Sequence, residues 1–294
     1  MSFTRGNKSC VSFWGTRGTI PTPGRMVEKY GGNTSCVSLS TGSDIIIFDA
    51  GTGIRNLGAE IADELTTSKP VTISIFLSHL HLDHLQGLPF FEPLYIADVK
   101  INIYVSYYKE RTLRRLFTEG AEDEYSPISM SGLNADINIC ELDSAVMQVG
   151  NALVSWQEQR QHPGGSVRYK VQMDGRTFVY ATDIELDEIV AKGNSESEFE
   201  RYSDFIKGAD LLVGDGQYSS ETYLKHKGFG HSSIPVLIKA ACKAKVKRLA
   251  VFHHEPSNTD NMLDEFYSIY AQKSLLRATG TEVFWAREGL TVAL

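Results

Sequence analysis

Short apolar runs alternate along this chain with polar breaks rich in glycine and proline, and their spacing predicts a molecule built mostly of strands. Cys10 to Trp14, Cys36 to Ser40, Ile45 to Phe48, Val71 to Leu77, Ile101 to Val105, Ile137 to Leu142 and Leu153 to Gln157 all read as strands. Cys36 to Ser40 and Ile45 to Phe48 form a hairpin turning at Thr41-Gly42-Ser43-Asp44, and Val167 to Met173 faces Thr177 to Ala181 across Asp174-Gly175, a stronger hairpin signal. Farther on, Leu211 to Val213, Arg248 to Phe252, Glu282 to Trp285 and Leu290 to Ala293 are strand-like, whereas Ile234 to Cys242 and Asn261 to Ala278 carry helical spacing. Strands followed by helix, twice in the same order, predict an α/β protein with two sheets sandwiched between helices, an αββα arrangement spanning 1–294 as one domain.

The breaks between runs are informative too. Gly15 to Gly24 and Tyr30 to Ser35 demand loops, and both are expected at the same end of the sheet. Leu85 to Ala97 has a mixed pattern interrupted by Pro89 and Pro93. From Tyr107 to Asp136 the chain changes character: Lys109, Arg111, Arg114 and Arg115 precede Glu119, Glu122, Asp123 and Glu124. A helix followed by a long loop is expected there, serving as a lid, a dimer contact or a solvated insertion.

Chemistry gathers where strands end. His79-Leu80-His81-Leu82-Asp83-His84 directly follows Val71 to Leu77 and puts three imidazoles and a carboxylate into six residues. His79 and His81 alternate as on an extended segment and can point at one ion, while Asp83 and His84 follow a turn and can face a second. Solvated loop histidines are the plainer explanation for any one of these residues, but the whole cluster behind a buried strand points to metal. With no cysteine thiolate nearby to close a structural site, an open catalytic one is expected. Asp49 follows Ile45 to Phe48 in the same way, either bracing a metal-binding histidine or capping the helix near Ile54. His162, Asp183 and the pair His253-His254 again lie just beyond strand-like runs. Arg17, in a glycine-rich loop, either meets an anionic substrate or pairs with a carboxylate; Asn33 and Thr34, in the second loop, join it as substrate-binding candidates.

Composition narrows the class. Of 294 residues, 42% are apolar and 22% charged, which suits a globular chain with a substantial core. A net charge of −7 argues against a broad footprint for nucleic acid, so an extended polyanion is not the first choice of partner. Cys10, Cys36, Cys140 and Cys242 are widely spaced and read as reduced thiols. Met1 to Cys10 is polar and no apolar run nears the ~20 residues that span a bilayer, so a cytoplasmic location is expected.

The five ligand motifs together resemble the metallo-β-lactamase superfamily of dinuclear metallohydrolases, and the likeness runs from the loop at Gly15 to His253-His254. It implies two divalent ions, Zn²⁺ or Mn²⁺: His79, His81 and His162 on the first, Asp83, His84 and His253 on the second, with His254 as the alternative to His253, and Asp183 bridging. Gly230-His231-Ser232-Ser233 is similar to the His-Ser-Thr motif of the phosphodiesterase branch, which includes ribonuclease Z and phosphoribosyl cyclic phosphodiesterase. His231 is then a general acid or a partner for a phosphoryl oxygen; otherwise it is a helix-terminal residue beside a capping Ser232 or Ser233. Two ions ~3.5 to 4 Å apart lower the pKa of a bridging water and position it for in-line attack. The openings Trp14 to Thr19 and Tyr30 to Ser35 resemble bacterial small cyclic phosphodiesterases, and no glycine-rich basic arm is evident. The expectation is a small cyclic phosphodiester, most simply a cyclic nucleotide, hydrolysed by a homodimer. An RNA 3′-end nuclease, a carbon-ester or lactone hydrolase, and a metal-bound sensor or scaffold are the alternatives.

Overall fold

The computed structural model describes residues 9–40, 45–65, 72–106, 109–118, 132–191, 196–271 and 279–294. Two seven-stranded sheets lie face to face. The first runs in the order β14 (Thr291–Ala293), β1 (Cys10–Gly15), β2 (Cys36–Ser40), β3 (Ile45–Phe48), β4 (Thr72–Phe76), β5 (Lys100–Val105), β6 (Asp136–Glu141). The second runs β13 (Glu282–Trp285), β12 (Arg248–Phe252), β11 (Leu211–Asp215), β10 (Arg176–Ala181), β9 (Ser166–Met173), β8 (Ala152–Gln159), β7 (Val146–Val149). Each sheet is antiparallel on one side and parallel on the other. In the first, β14 to β3 pair antiparallel and β3 to β6 parallel; in the second, β7 to β10 pair antiparallel and β10 to β13 parallel.

Three apolar layers make the sandwich. Between the sheets, Phe13, Phe48, Phe76, Tyr169, Phe178, Tyr180 and Phe252 interdigitate, with the Phe48 ring centroid 5.3 Å from both Phe178 and Tyr180. Each such side chain contributes about 1.5–3 kcal/mol of burial. Outside the first sheet, Ile47, Ile75, Ile101 and Ile103 meet Ile54, Leu57 and Ile61 of α1 (Ile54–Leu65) and Leu113 of α2 (Glu110–Thr118). Outside the second, Val179, Leu212, Leu249 and Val283 meet α3 (Leu186–Ala191), α4 (Glu196–Ile206), α6 (Ile234–Lys243) and α7 (Asp260–Tyr270). A further short helix, α5 (Ser220–Lys225), is capped by the Ser219 hydroxyl, which accepts from the Thr222 amide at 3.1 Å. The αββα arrangement expected from the pattern is the one observed.

Local chemistry explains where the elements break. Asp174 and Gly175 both have positive φ, 48° and 71°, as the tight β9–β10 hairpin requires. Pro89 and Pro93 fall at the starts of 3₁₀ turns, Leu88–Phe90 and Glu92–Tyr95, which accounts for the mixed pattern after the histidine cluster. The expected helix after Tyr107 is present as α2, but the acidic stretch behind it lies within 119–131, outside the described residues, as does the turn at 41–44. The helix expected from Asn261 to Ala278 is described only as Asp260–Tyr270, since 272–278 also lie outside. The edge strand β7 and the helices α3, α4 and α5 were not individually read from the sequence.

Candidate metal centre

Parallel strands that end in register bring their carboxyl ends to one rim. Phe48 of β3 pairs with Phe76 of β4, Ala181 of β10 with Gly214 of β11, and Asp215 of β11 with Phe252 of β12. The residues just beyond these ends are Asp49, Ser78 to His84, Asp183 and His253. An open crevice outside the carboxyl ends of a parallel sheet is where α/β proteins place their ligands.

There the donors converge. The ligand atoms of His79, His81 and His162 lie within 4.8 Å of one another, and so do those of Asp83, His84 and His253. Asp183 touches both sets, its carboxylate 3.7 Å from His79 Nε2 and 3.8 Å from His162 Nε2 on one side, 3.3 Å from His84 Nε2 and 3.6 Å from His253 Nε2 on the other. Asp83 and His84 sit on a 3₁₀ turn, Leu82–His84, which folds them back so that the His84 ring lies 4.3 Å from that of His79.

The surrounding hydrogen bonds decide which nitrogen of each ring faces inward. His84 Nδ1–H donates to Asp49 Oδ2 at 2.8 Å, His162 Nδ1–H to the Gly230 carbonyl at 3.1 Å, and His253 Nδ1–H to Gln217 Oε1 at 3.0 Å. The Ser78 hydroxyl donates to Asp49 Oδ2 at 2.8 Å and accepts from His79 Nδ1–H at 3.0 Å. In all four rings Nε2 is thereby left toward the cluster, as a ligand must be. His79 Nε2 is buried without a hydrogen-bond partner among the described residues, an orphan that a cation would satisfy. His81 approaches with its other nitrogen, Nδ1, 3.0 Å from His162 Nε2.

Burial and charge divide the imidazoles. Burial pushes His79 and His81 below the usual imidazole range and His162 down to about 4, so these three are neutral and ready to bind. Burial opposes charge on His84 and His253 as well, but Asp183, Asp83 and, for His84, Asp49 outweigh it; His84 is raised and His253 is pushed up to about 9. Correspondingly, burial of Asp83 and Asp183 is overcome by His84 and His253, and both carboxyls are held below their ordinary value. Protons on two imidazoles thus balance the buried carboxylates, and a divalent cation is what would displace them.

The backbone is strained at this rim. Asp49, Asp183, His253 and Thr19 all have φ between 55° and 63°, an expensive conformation for side-chain-bearing residues that clusters at functional sites. Close approach is enforced as well: a Cβ on Gly18 would lie 2.4 Å from His253 Nδ1, and one on Gly230 2.4 Å from His162 Nδ1. Asp49 does not cap the helix; besides His84 and Ser78 it accepts from the Tyr180 hydroxyl at 2.7 Å, tying the inter-sheet core to the site.

The expectations for Arg17, Asn33 and Thr34 change, and of the pair His253-His254 the preferred one faces the donors. Arg17 is fully buried: its guanidinium donates twice to the Gly31 carbonyl, at 2.9 and 3.1 Å, and to the carbonyls of Glu255 and Asn258 at 3.1 and 2.9 Å. It joins two loops to the segment behind His253, with four of its five N–H groups on these carbonyls and no surface open to a substrate. Asn33 is held by Glu288 through its amide and side chain, and Thr34 is buried against Thr52, so neither faces the cluster. His254 turns away from the donors, its Nε2–H donating to the Ala286 carbonyl at 2.8 Å, which leaves the position to His253.

His231 lies beside the cluster, its ring 4.8 Å from that of His253 and 5.1 Å from that of His162. Its Nδ1–H donates to Asp215 Oδ2 at 2.9 Å. Neither neighbouring serine hydroxyl caps the helix that follows, because Ser232 donates to the Ile184 carbonyl and Ser233 to Asp187. Asp215, Gln217 and Glu185 were not read as site residues from the sequence; nothing but position at or beyond a strand end signalled them.

Residues 45–254 match the β-lactamase superfamily domain. The chain belongs to that superfamily. The superfamily and its phosphodiesterase branch, read from the motifs, are borne out, and the His and Asp donors mark a metal-dependent hydrolase that binds divalent metal. Ribonuclease Z of Natronomonas pharaonis is 24% identical, with 96% of each chain covered. In fold, this superfamily member is similar to the short form of human tRNase Z (20% identity, TM-score 0.61, covering 96% of this chain and 98% of that one) and to unliganded yeast PDE1 (16%, 0.66, 98% and 100%). No helix among the described residues is long and apolar enough to cross a membrane.

Proposed function

We propose that this chain is a two-metal phosphodiesterase whose substrate is a small cyclic phosphodiester, with a cyclic nucleotide as the leading candidate. The observation that carries the reading is the His231–Asp215 pair set beside the two donor triads. Two divalent ions, zinc or manganese, would be held by His79, His81 and His162 and by Asp83, His84 and His253, with Asp183 between the two sets, and would supply an activated water and neutralise phosphoryl charge. What the protein adds is placement of a proton. Asp215 accepts from His231 Nδ1–H, fixing the ring, so that Nε2 is the atom that delivers a proton to the departing alkoxide. Asp183 and Asp83 orient the donors, and His81 is exposed to the open cavity above them.

Substrate size follows from the cavity over the cluster. Its volume is about 310 Å³, the lower end of small-molecule pockets, and it is lined by His81, Asp83, His162, Asp183 and His231 together with Thr19, Gln217, Tyr218, His226, Phe229 and Glu255. Among the described residues that lining contains no lysine or arginine, although Lys109 and Arg160 line an adjoining cavity beside His79, and the chain carries −7 overall, whereas grip on a long RNA depends on many neutralised phosphates. RNA 3′-end cleavage is the second reading, favoured by the full-length likeness to Natronomonas ribonuclease Z. The homodimer and the cytoplasmic location belong to the same proposal, the first checked by mass in solution.

The deciding experiment is hydrolysis of 3′,5′- and 2′,3′-cyclic nucleotides with added Mn²⁺ or Zn²⁺, with His81→Ala as control and His231→Ala as probe. Metal-dependent turnover is expected, abolished in the first variant and lowered roughly 10²–10⁴-fold in the second for a poor leaving group. Turnover confined to RNA 3′ ends, weakening steeply with salt, selects the second reading; full His231→Ala activity removes the proton-donor role.

A further inference from the structure

We propose that the loop from His226 to His231 is a nucleobase platform, in which Phe229 presents the stacking face and His226 a polar edge, so that the substrate is a nucleotide and not a bare sugar or alkyl phosphodiester. The proposal rests on the phosphodiesterase reading above and names what its cavity recognises.

Aromatic rings form a continuous group on this cavity. Tyr218 stacks on His226 at 4.9 Å and 16°, His226 and Phe229 are T-shaped at 5.2 Å and 84°, and Tyr218 lies 6.1 Å from His231. Phe229 is nevertheless 57% exposed, whereas Tyr218 beneath the group is buried. A single exposed apolar ring is ordinary on a protein surface and proves nothing alone. What distinguishes Phe229 is the machinery that holds it there.

That machinery is Glu185, a buried carboxylate two residues beyond Asp183 on the same segment. It accepts from the Gly228 amide at 2.9 and 3.1 Å, from the Gly230 amide at 3.0 Å and from the Tyr223 hydroxyl at 2.8 Å. Phe229 is thus clamped between two anchored glycines, both at positive φ, and Gly230 in turn accepts from the ligand-type His162. Fixing an exposed ring in this way removes the ordering cost from a later stacking partner. His226 is oriented as well: its Nδ1–H donates to the Thr222 carbonyl at 2.8 Å, so in the neutral ring Nε2 is an acceptor, suited to an exocyclic amine. Planar π-systems with amino edges are what such a surface binds, and in a phosphodiester of this size that partner is a nucleobase.

The test uses the full chain with Zn²⁺ added and reads binding, so that it stands apart from turnover. Titration calorimetry compares adenosine monophosphate with ribose 5-phosphate, which shares the phosphate and sugar but lacks the base. The wild type is expected to prefer the nucleotide by roughly tenfold or more, Phe229→Ala to bring the ratio close to one, and Phe229→Trp to keep it. Equal affinity for both ligands in the wild type, or a preference untouched by Phe229→Ala in a folded, metal-binding variant, overturns the platform. A base-dependent preference in a protein that hydrolyses no phosphodiester sinks the catalytic reading and leaves the platform standing.

Discussion

The two ends of the second sheet use similar residues to opposite effect. At the amino end, Asp210 precedes β11 and accepts from Lys247 Nζ at 2.8 Å, Arg176 Nη1 at 3.1 Å and the Thr177 amide at 2.8 Å. The basic partners are more than half exposed, at 63% and 51%, so water shares the charge and the arrangement is complete in itself. At the carboxyl end, Asp183, Asp215 and His253 are buried, two of them on left-handed backbone, and face imidazoles whose charge depends on a bound proton. Such backbone costs of order 1 kcal/mol or more per residue and improves no packing. The difference separates an ion pair that closes a sheet from a cluster built to exchange its protons for a cation.

Asp183 offers the largest way to break that comparison, because its carboxylate lies within 3.8 Å of donors in both triads. Asp183→Ala is expected to lower bound metal to one ion or none per chain and to cut kcat roughly 10³-fold, the equivalent of several kcal/mol of lost charge stabilisation. Metal analysis after dialysis beside steady-state rates checks it. A variant that keeps full metal occupancy means the shared carboxylate is dispensable, and the carboxyl end is then no cation site of the proposed kind.

Legibility in the sequence follows the same division. His79 to His84 could be read because four donors fall within one turn of chain behind an apolar strand, so local spacing already encodes convergence. Asp183 and His253 could be read from strand ends together with the superfamily likeness. Asp215 could not: it is one aspartate among several at strand ends, and its meaning comes from a ring 16 positions on. Glu185 acts across 43 and 45 positions, a relation that no local pattern carries. Arg17 misled for the converse reason. A guanidinium among glycines looks solvent-facing until the fold supplies three carbonyls around it, and only then is it a strut. The two-sheet architecture was legible because hairpin turns and buried runs are local signals, while β7 lies mostly exposed at a sheet edge and α3 spans under about two turns.

A smaller effect sharpens the comparison from within the rim. Asp49 orients His84 directly and His79 through Ser78 without reaching the cluster itself. Asp49→Asn keeps the size of the side chain but loses the anion that fixes both rings, and metal affinity is expected to fall 10- to 100-fold. Competition with a chelating indicator measures it, and circular dichroism reports whether the fold is retained. Unchanged affinity in a folded variant means that the rings are held by packing alone.

The smallest effect belongs to the amino end. Burial pushes the Asp210 carboxyl up, but the bonds from Lys247, the Thr177 amide and Arg176 outweigh it and hold the group below its ordinary value of 3.8. The sign follows: a depressed carboxylate pKa gives stability that is present above the unfolded value and is lost as pH falls through the folded one. Because the basic partners are solvated, that stability is worth only about 0.5–1 kcal/mol. Asp210→Asn is therefore expected to unfold slightly earlier in urea at pH 7, with the gap to the wild type closing as both are taken below pH 3.8. Metal content and turnover should not move. A change in either would mean that strain at the carboxyl rim is balanced through β11 by the pair at its other end, and the two ends would have to be treated as one device.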